Sequence, residues 1–308
     1  MSLRIAIVGS GAVGTYYGAK LAHGGSDVHF LMRGDLTAVR RDGIFVRGEG
    51  ENFRVANVKA YNSTKEIGLC DLVIVAVKAT SNPDLVDLVP PLLHDKTMVL
   101  TLQNGIGNEE FLAEHFGAER VLGGLCFIAV DRHSETEVER YDCGLVILGE
   151  LKGPAQTRTK EVAAEFVRAQ VKCKVADDIA LERWRKLIWN IPFNGLSIVA
   201  GGIDTAAIMG DKNLRQLTID LMEEVIAAAN KCGHALPPDA WHEHIKRSEN
   251  MAGYKPSTLQ DWESGKPLEI EAIWGEPVRR ARSAGAGMPR TEMIYELLKQ
   301  LDRMRRAK

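Results

Sequence analysis

Cysteine is scarce in this 308-residue chain: there are five (Cys70, Cys126, Cys143, Cys173, Cys232), an odd number, widely spaced and without a CxxC pair. That pattern excludes a zinc ribbon or a dithiol redox motif and predicts a reducing, cytoplasmic setting. Long hydrophobic runs are missing as well. Apolar stretches such as residues 72–77 fall far short of the roughly 20 residues that a membrane span needs. No basic, apolar, cleavable leader precedes the first strand pattern, so the expectation is a cytoplasmic protein. Nor is there an excess of charge of one sign: 39 Lys and Arg stand against 41 Asp and Glu. No whole-chain field is available to recruit nucleic acid or an anionic membrane, and the expected partner is a small molecule. A homodimer is compatible with this surface. No internal repeat or low-complexity tract is visible.

At 45% hydrophobic residues the chain can bury sizeable cores, and its length suggests two domains. Residues 3–8 form a β-branched run that stops at Gly9, and residues 13–23 carry small and apolar side chains at helical spacing. Strand candidates follow at 27–32, 72–77 and 98–102. Alternation of this kind predicts a Rossmann-type, doubly wound parallel sheet. Glycine-punctuated stretches over 123–149 read as added strands near the sheet edge, and 171–175 closes this half. Beyond Asp177 the character turns helical: Trp184, Leu187, Ile188 and Ile191 recur at helical intervals, and 214–229 repeats the pattern. The expected division is an α/β domain over 1–175 and an all-α domain over 176–308.

Gly9-Ser10-Gly11-Ala12-Val13-Gly14 matches GxGxxG between a strand and a helix. Gly9 permits the tight turn, Gly11 lets the backbone approach a pyrophosphate, and Gly14 lets the helix pack on the strand. The helix N-terminus adds free N–H groups and a positive dipole end. A dinucleotide is the expected ligand. NAD enzymes of this type carry an acidic residue about 20 positions onward to hold the ribose 2′-hydroxyl, but here that place holds Met32-Arg33-Gly34. A guanidinium cannot accept those hydrogens and can pair with a 2′-phosphate, so Arg33 predicts NADPH/NADP. Lys78, just after the 72–77 strand, is a candidate second cation.

In the second half Lys186, Asn190 and Asn194 fall at i, i+4 and i+8, which sets an ammonium and two amides on one helical face. Pro192 lies inside this run and is expected to kink it or to end its regular hydrogen bonding. Gln103-Asn104-Gly105 follows the 98–102 strand, at the end where open α/β sheets bind ligands. Ser257 within STLQD and Glu269 within LEIEAIWG complete the candidates. His242 and His244, two apart, point to different helix faces; they predict surface histidines rather than metal ligands. The basic tail 303–308 is expected to cap a terminal helix.

This ordered set, running along nearly the whole chain, resembles the ketopantoate reductase (2-dehydropantoate 2-reductase) family. The resemblance implies an NADPH-binding Rossmann domain joined to an all-helical domain, with substrate in the cleft between them. It also implies that Lys186 is the catalytic lysine, that Glu269 places substrate or orients that lysine, and that Asn104 lines the nicotinamide and substrate site. Asn190, Asn194 and Ser257 would hold the substrate's oxygens, while Gly9, Ser10, Gly11, Ala12, Val13, Gly14, Arg33, Lys78 and Asn104 would hold the cofactor. Tyr254 stands where an asparagine is often found, which bears on substrate identity. The expected reaction is hydride transfer to a 2-oxo acid, ketopantoate first, in the formation of pantothenate, with a lysine general acid. Two alternatives stay open: another lysine-dependent hydroxyacid or opine-type dehydrogenase, and an NADPH sensor without turnover.

Overall fold

The strand-forming runs are apolar on both faces because the strands they form are covered on both sides. In the computed structural model, which describes residues 3–251 and 253–306, β1 (Arg4–Val8) is buried from Ile5 onward. It leads into α1 (Ala12–His23), followed by β2 (Asp27–Leu31), α2 (Leu36–Asp42), β3 (Ile44–Gly48), β4 (Glu51–Val55) and β5 (Lys59–Tyr61). Next come α3 (Thr64–Ile67), β6 (Leu72–Val75), α4 (Asn82–Leu88), β7 (Met98–Thr101) and α5 (Asn108–Phe116). The long strands β8 (Val121–Arg132) and β9 (Glu137–Glu150), then α6 (Thr157–Arg168) and β10 (Cys173–Val175), complete a first compact unit made of residues 3–103 and 108–179.

Among the described residues the sheet has the order β4-β3-β9-β8-β7-β6-β1-β2-β5, with β10 beside β9. β1 lies between β2 and β6, parallel to both. The chain order thus reverses beside β1, and the glycine turn leaves its carboxyl end at the switch point where such sheets bind ligands. The expected doubly wound parallel sheet is therefore present, with one correction. The 123–149 segment does not lie at an edge. Its two strands form an antiparallel ribbon inside the sheet, β8 on β7 and β9 on β3. Register shifts at Phe127/Ile128 and Ala129/Val130 add twist to the ribbon, and the sheet curls until β3, β4, β8 and β9 all touch α1.

That curl buries polar groups against α1. The Glu51 carboxylate accepts from Tyr16 Oη at 2.8 Å, Lys20 Nζ at 2.9 Å and Arg140 Nε at 2.6 Å. Burial alone would raise its pKa, but these three donors outweigh that and hold Glu51 below the ordinary carboxylate range.

The second compact unit comprises residues 104–107 and 180–306. It contains nearly all of α7 (Ile179–Val199), then α8 (Thr205–Gly210), α9 (Lys212–Lys231), α10 (Trp241–Glu249), α11 (Ser257–Glu263), α12 (Glu276–Ser283) and α13 (Pro289–Arg306), with a π-helical turn over Glu271–Gly275. Trp184, Leu187, Ile188 and Ile191 are buried in its core, as their spacing requires, and Ile106 from the short segment joins them. α7 runs on through Pro192 instead of ending there. Proline removes one N–H from the ladder, but this stretch is fully buried, and packing holds it helical. Side chains also bond the local carbonyls: Trp274 Nε1 donates to Ile191 O at 3.1 Å and Asn194 Nδ2 to Asn190 O at 3.0 Å.

Arg303, Arg305 and Arg306 occupy the last turn of α13, where cations suit the helix dipole; residues 307 and 308 of the basic tail lie outside the described residues. Among the described residues no helix is long and apolar enough to cross a membrane.

Candidate active site

The glycine turn has the geometry its three glycines were expected to allow. Gly9 has φ +110°, and a Cβ there would lie 2.3 Å from the Val77 nitrogen; one on Gly14 would lie 2.0 Å from the Gly9 carbonyl oxygen. Gly11 differs from both. Its φ is −74°, open to any residue, and, its chain neighbours aside, nothing among the described residues lies within 4 Å of where its Cβ would stand. Neither backbone nor packing among the described residues demands glycine there. No side chain caps α1 and no acidic residue stands in its first turn, which leaves its N-terminal N–H groups for an anion. The turn fits a dinucleotide pyrophosphate.

Ser10 Oγ donates to Leu31 O at 2.7 Å, tying the turn to the end of β2. Arg33 follows that strand with 78% of its side chain exposed; its contact to Asp84 is long, at 3.4 Å. Lys78 is exposed just beyond β6.

In the second unit the face expected on α7 gathers polar groups. Lys186 Nζ donates to Asn104 Oδ1 at 2.7 Å, although the two are 82 positions apart in the chain. Asn104 is brought there by Gly105, whose φ of +85° and near-contact with Ala272 leave no room for a side chain; a Cβ would lie 2.3 Å from the Ala272 oxygen. Ile106 N then donates to that same oxygen at 2.9 Å. The acceptor belongs to the π-helical turn, a form that concentrates at functional sites. Glu269 is buried just ahead of it.

Asn190 is 7% exposed, and among the described residues its side-chain amide makes no hydrogen bond. Asn194 is placed differently. Its Oδ1 accepts from Thr258 N at 3.1 Å while its Nδ2 holds the Asn190 carbonyl. It thereby supplies the N-terminal cap that Pro256 cannot give α11, and fixes Ser257 at the first position of that helix. Trp189, one turn from Lys186, stacks on Phe193 at 4.9 Å and leans on Tyr254 at 6.1 Å, forming an apolar wall.

His244 corrects an expectation. It is half-buried rather than at the surface, and burial, with Arg247 and Arg185 nearby, lowers its pKa to about 4. His242 is exposed, stacked on Trp241. Arg132, whose guanidinium reaches the glycine turn at Ser10 O, was missed in the sequence. A single arginine ending an irregular ribbon carries no local signal.

Two family models match the chain: "Ketopantoate reductase PanE/ApbA" over residues 5–153 and its "C terminal" counterpart over 178–302. The chain belongs to the ketopantoate reductase family. It is therefore an oxidoreductase by family. A curated 2-dehydropantoate 2-reductase from Nostoc sp. is 37% identical over 304 residues, covering 97% of this chain and 95% of its own. Among solved structures, the 2-dehydropantoate 2-reductase of Geobacter metallireducens superimposes with a TM-score of 0.95 at 43% identity, covering 97% of this chain and all of its own. A D-mandelate dehydrogenase solved with NADH and anilino(oxo)acetate shares the fold, with a TM-score of 0.88, at 21% identity and coverage of 98% and 99%.

Proposed function

We propose that this ketopantoate reductase family member reduces a small 2-oxo acid, 2-dehydropantoate first, to its 2-hydroxy acid with NADPH, using Lys186 as general acid. The observation that carries the reading is the Lys186–Asn104 hydrogen bond at 2.7 Å, with the buried Asn190 one turn further along α7 from the lysine. NADPH, when bound, supplies a hydride for the C2 carbonyl.

This chain's residues do the rest. Asn104 Oδ1 accepts from the Lys186 ammonium and so aims Nζ. As negative charge develops on the carbonyl oxygen, Lys186 Nζ stabilises it and delivers the proton that completes the alcohol. Asn190 and the Ser257 hydroxyl hold substrate oxygens; Asn194 acts through Ser257 by capping its helix. Glu269 supports placement of lysine or substrate. The glycine turn with α1 holds the pyrophosphate, and Arg33 with Lys78 attracts the 2′-phosphate.

The test is loss of reduced-nicotinamide absorbance with a panel of 2-oxo acids including ketopantoate. Lys186→Ala is expected to lower kcat about 100-fold or more with NADPH affinity nearly unchanged; an unimpaired kcat removes Lys186 from the mechanism. Tight NADPH binding without turnover of any 2-oxo acid would favour a sensor instead.

A further inference from the structure

Asp35 stands two residues beyond Arg33, at the position that precedes α2. An aspartate there ordinarily turns its carboxylate onto the free N–H groups of the first helical turn, yet Asp35 makes no such bond. Its Oδ2 is held instead by Arg132 Nη1 at 2.7 Å. Arg132 ends β8 with only 17% of its side chain exposed. The same Nη1 also donates to Ser10 O in the glycine turn. Arg132 Nε donates to Ser134 O at 3.2 Å and Nη2 to Glu135 O, so every nitrogen of the guanidinium is engaged.

A carboxylate two residues along the chain from Arg33 works against the proposed cofactor in two ways. It repels a 2′-phosphate, and it offers the acceptor that a ribose 2′-hydroxyl seeks in NAD enzymes. We infer that Arg132 is a specificity-determining positioning residue: by neutralising Asp35 and holding its carboxylate, it secures the preference for NADPH over NADH, while its bond to Ser10 O fixes the glycine turn. The inference rests on the NADPH reading above. Charges a few ångströms apart near a protein surface interact by several times thermal energy before screening by salt, enough for a preference of the size expected here.

Dissociation constants of NADPH and NADH, read from nicotinamide fluorescence at low ionic strength, test it without turnover. Arg132→Met keeps the apolar stem and removes the charge; it should lower the Kd(NADH)/Kd(NADPH) ratio about fivefold or more. Adding Asp35→Asn to that variant should restore most of the ratio, because the charge to be masked is gone. Asp35→Asn alone leaves the guanidinium's main-chain bonds in place and should raise the ratio, so it carries the test even if Arg132→Met fails to fold. Equal weakening of both cofactors by Arg132→Met, a double variant no better than the single, or an Asp35→Asn ratio equal to that of the unaltered protein overturns the inference. If the unaltered protein binds both cofactors alike, the NADPH reading itself is what fails.

Discussion

Gly105 shows how much one residue can determine. Alanine there meets two costs together: a left-handed backbone conformation worth about 1–2 kcal/mol and a Cβ 2.3 Å from the Ala272 oxygen in the π-helical turn. Gly105→Ala should lower unfolding stability by at least about 2 kcal/mol. It should also displace Asn104 from Lys186, so kcat falls. Urea melts read beside steady-state kinetics decide it; an alanine variant with wild-type stability and kcat would mean that the loop repacks freely. An Asn-Gly pair in sequence reads equally well as a simple turn, so the glycine was legible but its reason was not. The reason lies in a contact with a residue 167 positions later, which no local pattern encodes.

At the scale of elements, the readable ones are those whose own chain carries their periodicity. β1, α1 and the turn between them form one continuous signal, and α7 declares its buried face through Trp184, Leu187, Ile188 and Ile191. The β3–β4 hairpin left no comparable trace, because its side chains alternate around charged Arg47, Glu51 and Arg54, and its place depends on the curl of a distant ribbon. α10 shows the same limit through His244, whose burial comes from packing rather than from spacing.

Its titration gives a prediction. The folded-state pKa, about 4, lies below the unfolded value of 6.5, so the unfolded chain binds the extra proton between these values and stability is lost as pH falls from 6.5 toward 4. The loss is at most about 3 kcal/mol. His244→Gln should flatten the Tm-versus-pH curve within that window; an unchanged slope would assign the acid sensitivity to other groups. Because His244 O accepts from Ser248 Oγ, which in turn accepts from Trp189 Nε1 on α7, loosening of α10 should also reach the helix that bears Lys186.

Taken whole, the molecule is not two halves joined once. The chain passes from the first unit to the second at 103/104, returns at 107/108, and leaves for good at 179/180. The expected single division near residue 175 could not register the short visit, since four residues of loop carry no periodicity. A fragment comprising 180–308 would lack Ile106, which is 5% exposed within the second core. Losing a buried isoleucine costs about 2–5 kcal/mol. Such a fragment should unfold at distinctly lower denaturant than the corresponding transition of the intact chain, and a peptide of residues 102–109 added in trans should raise its midpoint. A fragment as stable as the intact second unit would show that Ile106 contributes little.

The same threading constrains anyone who builds hybrids. Splicing a relative's cofactor half onto this protein's helical half at one junction also imports the donor's four-residue loop, and with it the foreign asparagine or its substitute that must greet the resident lysine. Recombination that respects the architecture needs three breakpoints, not one.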